Sequence, residues 1–187
     1  EIYSVSNQWR HDRYIWKGLR IYWSIEEGSM NDYKHLYKVA LVEYAKFSTC
    51  DRLKVAALLV HDGRILSCGY NGVPSGDQHC CDKFSHDNHG NFYIDGEPVS
   101  EEVYRFKHHE FSEVDEVHAE VNCLSYALKN HVDVSKCTLV VSIAPCSNCA
   151  KFILASGIKT VYYVDLYDRS DAGIEFLKKH NIKVEKI

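Results

Sequence analysis

The chain has 187 residues, 45% of them hydrophobic and 26% charged, with a formal net charge of −4. This composition excludes a wholly disordered or collagen-like chain, and no run approaches the ~18 apolar residues of a membrane span. The pI near 6.3 lacks the basic footprint of a general nucleic-acid binder, whose domain pI usually exceeds about 9. The length predicts one domain with a sizeable core.

Residues 1–31 read as an aromatic extension. Trp9, Trp16 and Trp23 lie seven residues apart, with Tyr3, Tyr14 and Tyr22 among them. That spacing places the tryptophans on one helical face, although Gly18 weakens a continuous helix. Two readings stand: an extension that covers its own core, or an arm that packs on a partner subunit. Gly28-Ser29 breaks the chain before the main domain, 32–187. Tyr33–Phe47 predicts an amphipathic helix. Val55–Val60 and Arg64–Tyr70 are apolar runs joined by His61-Asp62-Gly63, and the Asp-Gly pair predicts an antiparallel hairpin. Asn71–Gly76 is a loop by composition.

Residues 77–112 are polar, rich in His, Asp and Gly, and show no long period. An insertion of this length in a compact domain needs either a function or an anchor of its own. Beyond it, Val117–Asn130 predicts a helix, Thr138–Ile143 a strand, and Pro145–Ala155 a helix closed by Gly157. Thr160–Asp165 is a strand, Ala172–His180 a helix and Ile182–Ile187 a last strand. This alternation argues an α/β fold, a mostly parallel sheet with one antiparallel hairpin at its edge.

Eight cysteines and eleven histidines, with no apolar leader at the start, point to a reducing compartment where clustered thiols bind metal rather than pair. The sharpest constellation is His118-Ala119-Glu120 followed by Pro145-Cys146-Ser147-Asn148-Cys149. Each half opens a predicted helix. Cys146 and Cys149, three apart in a first turn, face one point, and a helix N-terminus favours thiolate. His118 adds a nitrogen from the neighbouring helix. Three protein ligands leave one tetrahedral position open, the pattern of a catalytic zinc. Glu120, two residues from the histidine, is placed to move protons. A Cys-x-x-Cys alone is weak; joined to an upstream His-x-Glu it matches the known signature of zinc-dependent nucleobase deaminases.

Further residues narrow the resemblance. Ser48-Thr49-Cys50, Gly69-Tyr70-Asn71-Gly72 with Pro74-Ser75-Gly76, Cys80-Cys81-Asp82, Glu116–Asn122, Ala144-Pro145-Cys146 and Tyr167 make residues 48–187 resemble the deoxycytidylate (dCMP) deaminases of phages and bacteria, within the zinc-dependent cytidine deaminase superfamily. The extension lies outside it. The resemblance implies a three-layer α/β/α fold with a mixed five-stranded sheet. It implies hydrolysis of dCMP to dUMP and ammonia, supplying dUMP for dTMP synthesis, in a bacterial or phage-infected cytoplasm. His118, Cys146 and Cys149 match the catalytic zinc ligands and Glu120 the proton shuttle. Asn71 matches a deoxyribose contact, and Glu116 and Tyr167 line the nucleotide pocket. Arg52 stands where some members bind the 5′-phosphate, with Lys54 and Arg169 as other candidates; a monophosphate demands such a cation.

Some members hold a second, structural zinc. Here Cys50, Cys80 and His108 occupy matching positions, but Tyr104 stands where one family pattern has a histidine, which leaves the fourth ligand open, with His79, Cys81 and His109 as substitutes. Such a clip would order the insertion. His86 and His89 read as surface histidines. Many members are homohexamers switched on by dCTP and off by dTTP. Their effector loop corresponds to Gly69, Tyr70, Asn71 and Gly72, and Mg2+ would accompany a triphosphate there. The competing readings are a dCTP or bifunctional dCMP/dCTP deaminase, a polynucleotide deaminase, which the acidic balance disfavours, and an inactive zinc-stabilised binding module. Neither membrane nor nucleic acid is an expected partner. Glu120 separates enzyme from module, because a structural site needs no carboxylate beside its ligands.

Overall fold

The computed structural model describes residues 33–166 and 171–187. The expected extension, Tyr167 and Arg169 lie outside these. The fold is organised around β1 (Ala56–His61), in which every residue but the last is buried. A solid apolar strand needs cover on both faces, and alternate side chains deliver it. Ala56, Leu58 and Val60 pack with Tyr37, Leu41 and Ala45 of α1 (Tyr33–Ala45). Ala57 and Leu59 join a larger core on the opposite face. That core takes Ala119, Cys123, Leu124 and Ala127 from α4 (Ala119–Lys129), Ala150 and Ile153 from α5 (Ser147–Ser156), and Leu177 from α6 (Ala172–Lys179). The result is the expected three-layer α/β/α architecture.

The main sheet has the order β2-β1-β6-β7-β8, with β2 at Arg64–Tyr70, β6 at Thr138–Ile143, β7 at Thr160–Asp165 and β8 at Lys183–Lys186. β6, β7 and β8 are parallel. β1 is antiparallel to β2 and also to β6. So β2, β6, β7 and β8 run one way with β1 against them, and half of the pairings are antiparallel. The hairpin turns at Asp62-Gly63, both at positive φ (47° and 75°), the backbone of a type I′ turn. Among the described residues no helix is long and apolar enough to cross a membrane.

The insertion departs from expectation. It contains α2 (Cys80–Lys83), β3 (Phe84–His86), β4 (Phe92–Ile94), β5 (Glu97–Val99) and a 14-residue helix α3 (Glu101–Val114). β3, β4 and β5 form their own antiparallel sheet. Asp95-Gly96 turns β4 into β5 with the same pair of positive φ angles as Asp62-Gly63. Ser100 caps α3 by accepting from the Val103 N–H, as N-cap serines do. Tyr104, His108 and Phe111 share the buried face of α3 and pack with Cys50, Cys80 and Phe84 into a separate aromatic core. The insertion is a small subdomain with its own interior.

Candidate active site

The two motif halves sit where two helices begin. His118 is the N-cap of α4 and Cys146 the N-cap of α5. Each helix starts two residues later than the sequence pattern suggests, so the motif side chains stand at the helix mouths, where unpaired N–H groups favour anionic sulfur. Cys146 Sγ accepts from the Cys149 N–H at 3.5 Å. His118 Nδ1 lies 3.6 Å from Cys146 Sγ and 3.3 Å from Cys149 Sγ. All three donor atoms fall within 4.8 Å of one another.

The backbone around this cluster is tightly set. Gly72 and Val117 exchange both hydrogen bonds, 3.2 and 2.8 Å, so the residue before His118 is tied to the Asn71-Gly72 loop. The Ala144 N–H donates to the Asp165 carbonyl at 2.8 Å, joining the ends of β6 and β7 beneath Cys146. The start of α6 presses on the same loop: a Cβ added at Gly173 would fall 1.9 Å from the Pro145 carbonyl oxygen.

Electrostatics follows from this packing. The Cys146 thiol is lowered to about 4 by its hydrogen bond with Cys149 and, next, by His118. Cys149 is raised in turn, so Cys146 is the member of the pair that carries the thiolate. His118 is raised to about 9, chiefly by Cys146. Glu120, in the first turn of α4, is 5% exposed, and burial holds its carboxyl above the usual range. It also reaches the Cys149 thiol. Two sulfurs and an imidazole nitrogen suit zinc, and no fourth His, Cys, Asp or Glu joins this group among the described residues.

A second group repeats the donor set inside the insertion. His108 Nε2 lies 3.5 Å from Cys50 Sγ and 3.3 Å from Cys80 Sγ, and all three residues are buried. Cys50 is lowered to about 4, first by Cys80 and then by His108, while Cys80 is raised. None of the expected substitutes joins them. His79, Cys81 and His109 are exposed, because α2 and α3 turn only one face inward. The carboxyl that does approach is Glu116. It is buried, raised to about 7 by that burial and then by Cys50, and held by the Ser112 hydroxyl at 2.9 Å through Oε2. Its Oε1 has no hydrogen-bond partner among the described residues, nor has His108 Nδ1.

The position of Tyr104 acquires a meaning. Its hydroxyl donates to Asp51, and His86 Nδ1 pairs with the same carboxylate at 2.7 Å. His86 is therefore a half-buried partner rather than a surface histidine, while His89 is exposed as expected. This network bridges β3 and α3 to the residue beside Cys50, whose own N–H donates to Cys80 Sγ at 3.3 Å.

The remaining site candidates divide. Asn71 is buried and committed to its own loop: Oδ1 accepts from Ser48 Oγ at 2.7 Å and Val55 N–H at 2.8 Å, and Nδ2 donates to the Leu53 carbonyl at 3.0 Å. One Nδ2 hydrogen remains for a ligand. Arg52 lies half-buried two residues past Cys50. At Gly69 the space of a Cβ is taken by α4 backbone, 2.5 Å from the Ala119 oxygen and the Cys123 nitrogen. Gly72 is open except for Thr49 Oγ1 at 3.5 Å.

Comparison with known proteins agrees with this geometry. The model of the cytidine and deoxycytidylate deaminase zinc-binding region matches residues 30–165. The deoxycytidylate deaminase of Enterobacteria phage T4 is 34% identical over 143 residues, 67% of this chain and 74% of that protein. The ComE operon protein 2 of Bacillus subtilis is 31% identical over 140 residues, 75% of this chain and 63% of that protein. A crystal structure of dCMP deaminase from cyanophage S-TIM5, in complex with dCMP and dUMP, superposes with a TM-score of 0.64 at 29% identity, covering 86% of this chain and all of that one. With its zinc-motif side chains gathered at two helix mouths, the chain belongs to the cytidine and deoxycytidylate deaminase zinc-binding family.

Proposed function

We propose that this protein hydrolyses the C4 amino group of dCMP, consuming water and releasing dUMP and ammonia. The observation that carries the chemistry is the buried Glu120 carboxyl at the head of α4, beside a cluster of three protein donors among the described residues. The nucleotide is supported by the relatives named for dCMP deamination and by the cyanophage enzyme crystallised with dCMP and dUMP. His118, Cys146 and Cys149 would hold zinc, which supplies a water acidified towards neutral pH. Glu120, its pKa raised by burial, would accept one proton of the attacking water and deliver it to N3 of the cytosine ring, then take the second from the hydroxyl added at C4 and pass it to the leaving amino group, so that both protons of the water end on N3 and on ammonia. Asn71, Arg52 and Tyr167 are the proposed contacts to sugar, phosphate and pocket.

A second zinc is proposed at Cys50, Cys80 and His108, with Glu116 as its fourth ligand. The unpartnered Glu116 Oε1, buried beside Cys50, supports this over a purely pocket-lining role. Resemblance to the phage and bacterial enzymes further supports a homohexamer in the cytoplasm, with dCTP and dTTP as effectors and Mg2+ accompanying a triphosphate. Gly72, rather than Gly69, is then the glycine with room for an effector phosphate.

The test is ammonia release by the purified zinc-loaded chain on dCMP, with dCTP, deoxycytidine and a cytosine oligonucleotide in parallel. Turnover of dCMP alone is expected. Comparable turnover of dCTP would move the assignment to a bifunctional enzyme, and reaction of the oligonucleotide alone would overturn the substrate. No reaction, with or without added dCTP, would leave an inactive zinc-stabilised module.

A further inference from the structure

The amide of Asn71 is held at three points, and they come from two separate stretches of chain. Two of the bonds belong to residues 53–55, just before β1: the Val55 N–H donates to Oδ1 at 2.8 Å, and Nδ2 donates to the Leu53 carbonyl at 3.0 Å. A donor at one end and an acceptor at the other fix which end is oxygen and which is nitrogen. Both partners are backbone groups of one short segment, so alone they leave the amide a rotation about the line joining them. The third bond closes that rotation. Ser48, in the stretch after α1, donates from Oγ to Oδ1 at 2.7 Å across 23 residues of sequence. The hydroxyl has little choice of partner. Its oxygen already accepts from the Cys50 N–H at 3.2 Å, the local turn that a serine makes with the second residue after it. Its single hydrogen is left for Asn71. Ser48 is 2% exposed and Asn71 6%, so water competes poorly for either. The Ser48 backbone is fixed as well: its N–H donates to the Ala45 carbonyl at 3.1 Å, and the next carbonyl, of Thr49, accepts from the Cys81 N–H at 2.9 Å.

We propose that Ser48 is a positioning residue for nucleotide binding: its buried hydroxyl aims the remaining Nδ2 hydrogen of Asn71 at the sugar hydroxyl of the substrate. This rests on the assignment of Asn71 as the sugar contact in dCMP hydrolysis. The loop itself does not depend on the Ser48 bond. The Asn71 N–H donates to the Val55 carbonyl at 3.2 Å, and Gly72 exchanges two hydrogen bonds with Val117. The hydroxyl therefore governs the direction of the amide rather than the path of the backbone. An amide locked in one direction donates without first being ordered, whereas one free to swing loses that freedom at each binding event. dCMP carries one free sugar hydroxyl, at C3′, because the 5′ oxygen is esterified. That hydroxyl is remote from C4, where bonds change, so the contact holds ground state and transition state alike. Its loss falls on KM rather than on kcat. The same serine oxygen also takes the N–H of Cys50, so the sugar contact and the chain that carries the second cluster meet at one hydroxyl.

Steady-state kinetics and calorimetry on the full zinc-loaded chain test this. Ser48→Ala should raise KM for dCMP about three- to tenfold, the usual worth of one hydrogen bond, with kcat changed by less than about twofold. It should weaken dUMP binding by the same factor at unaltered zinc content. Ser48→Thr, which keeps a hydroxyl, should restore most of both. The dideoxy analogue of dCMP lacks the 3′-hydroxyl, so on it Ser48→Ala and the unsubstituted chain should bind alike, closing a cycle between residue and ligand group. An equal penalty on the dideoxy nucleotide would make the hydroxyl a purely structural tie and overturn the proposal. So would a fall in thermal stability with KM and dUMP affinity unmoved. An unsubstituted chain that turns over dCMP while Ser48→Ala matches it overturns the positioning role alone. One that neither turns over dCMP nor binds dUMP overturns the nucleotide assignment and the role of Ser48 with it.

Discussion

Two clusters in this molecule use one donor set, two cysteines and a histidine, in opposite surroundings. His118, Cys146 and Cys149 stand at the mouths of α4 and α5, two of them only half-buried, with a buried carboxyl held beside them. Cys50, Cys80 and His108 are all buried, among Phe84, Tyr104 and Phe111. The donors set which metal can bind; the surroundings set what the site does. An approachable cluster with a carboxyl at hand can exchange water and protons. A buried cluster among aromatic rings, for which Glu116 is the proposed fourth ligand, is suited to holding chain segments together.

Substitutions at the two clusters should therefore separate cleanly. Cys146→Ala is expected to abolish turnover and to lower the zinc content by one ion per chain while the thermal transition remains; unchanged zinc by mass spectrometry would refute the ligand assignment. Glu120→Gln keeps both thiols and the histidine. Its kcat on dCMP should fall by about 10²- to 10⁴-fold, the usual share of general acid–base catalysis, at unaltered zinc content. Substantial residual turnover would sink the shuttle role.

Cys80→Ala should reverse the pattern. It loses the other zinc and costs about 3–4 kcal/mol of stability at high free metal, while dCMP turnover at low temperature largely survives. A wild-type count of one zinc per chain would remove the second site altogether. Smaller again is Tyr104→Phe, which deletes only the hydroxyl that donates to Asp51. About 1–3 kcal/mol is expected by denaturant unfolding, with zinc content unchanged; loss of zinc would instead make Tyr104 part of the metal site.

The main domain was legible because its signals are local and strong. The strands at Thr138–Ile143 and Thr160–Asp165 are long apolar runs, and the hairpin announces itself at Asp62-Gly63. The insertion carries the same turn pair at Asp95-Gly96, but it joins strands of only three residues, too short to show alternation. In α3 the helical spacing of Tyr104, His108 and Phe111 is blurred by Val103, Phe106 and Val114, which are large, apolar and exposed. A capping Ser100 and two acidic residues in the first turn were the available signs.

The sequence alone determined the fold class, the three donors that gather at the helix mouths and the carboxyl that follows His118, because these depend on residue type at fixed spacing along a helix start. Only the tertiary structure decided where Glu116 and His86 go, that Asn71 spends most of its hydrogen bonds on its own loop, and that Gly69 is closed off by α4. Those outcomes depend on which distant backbone arrives within a few ångströms, and no local spacing encodes that approach.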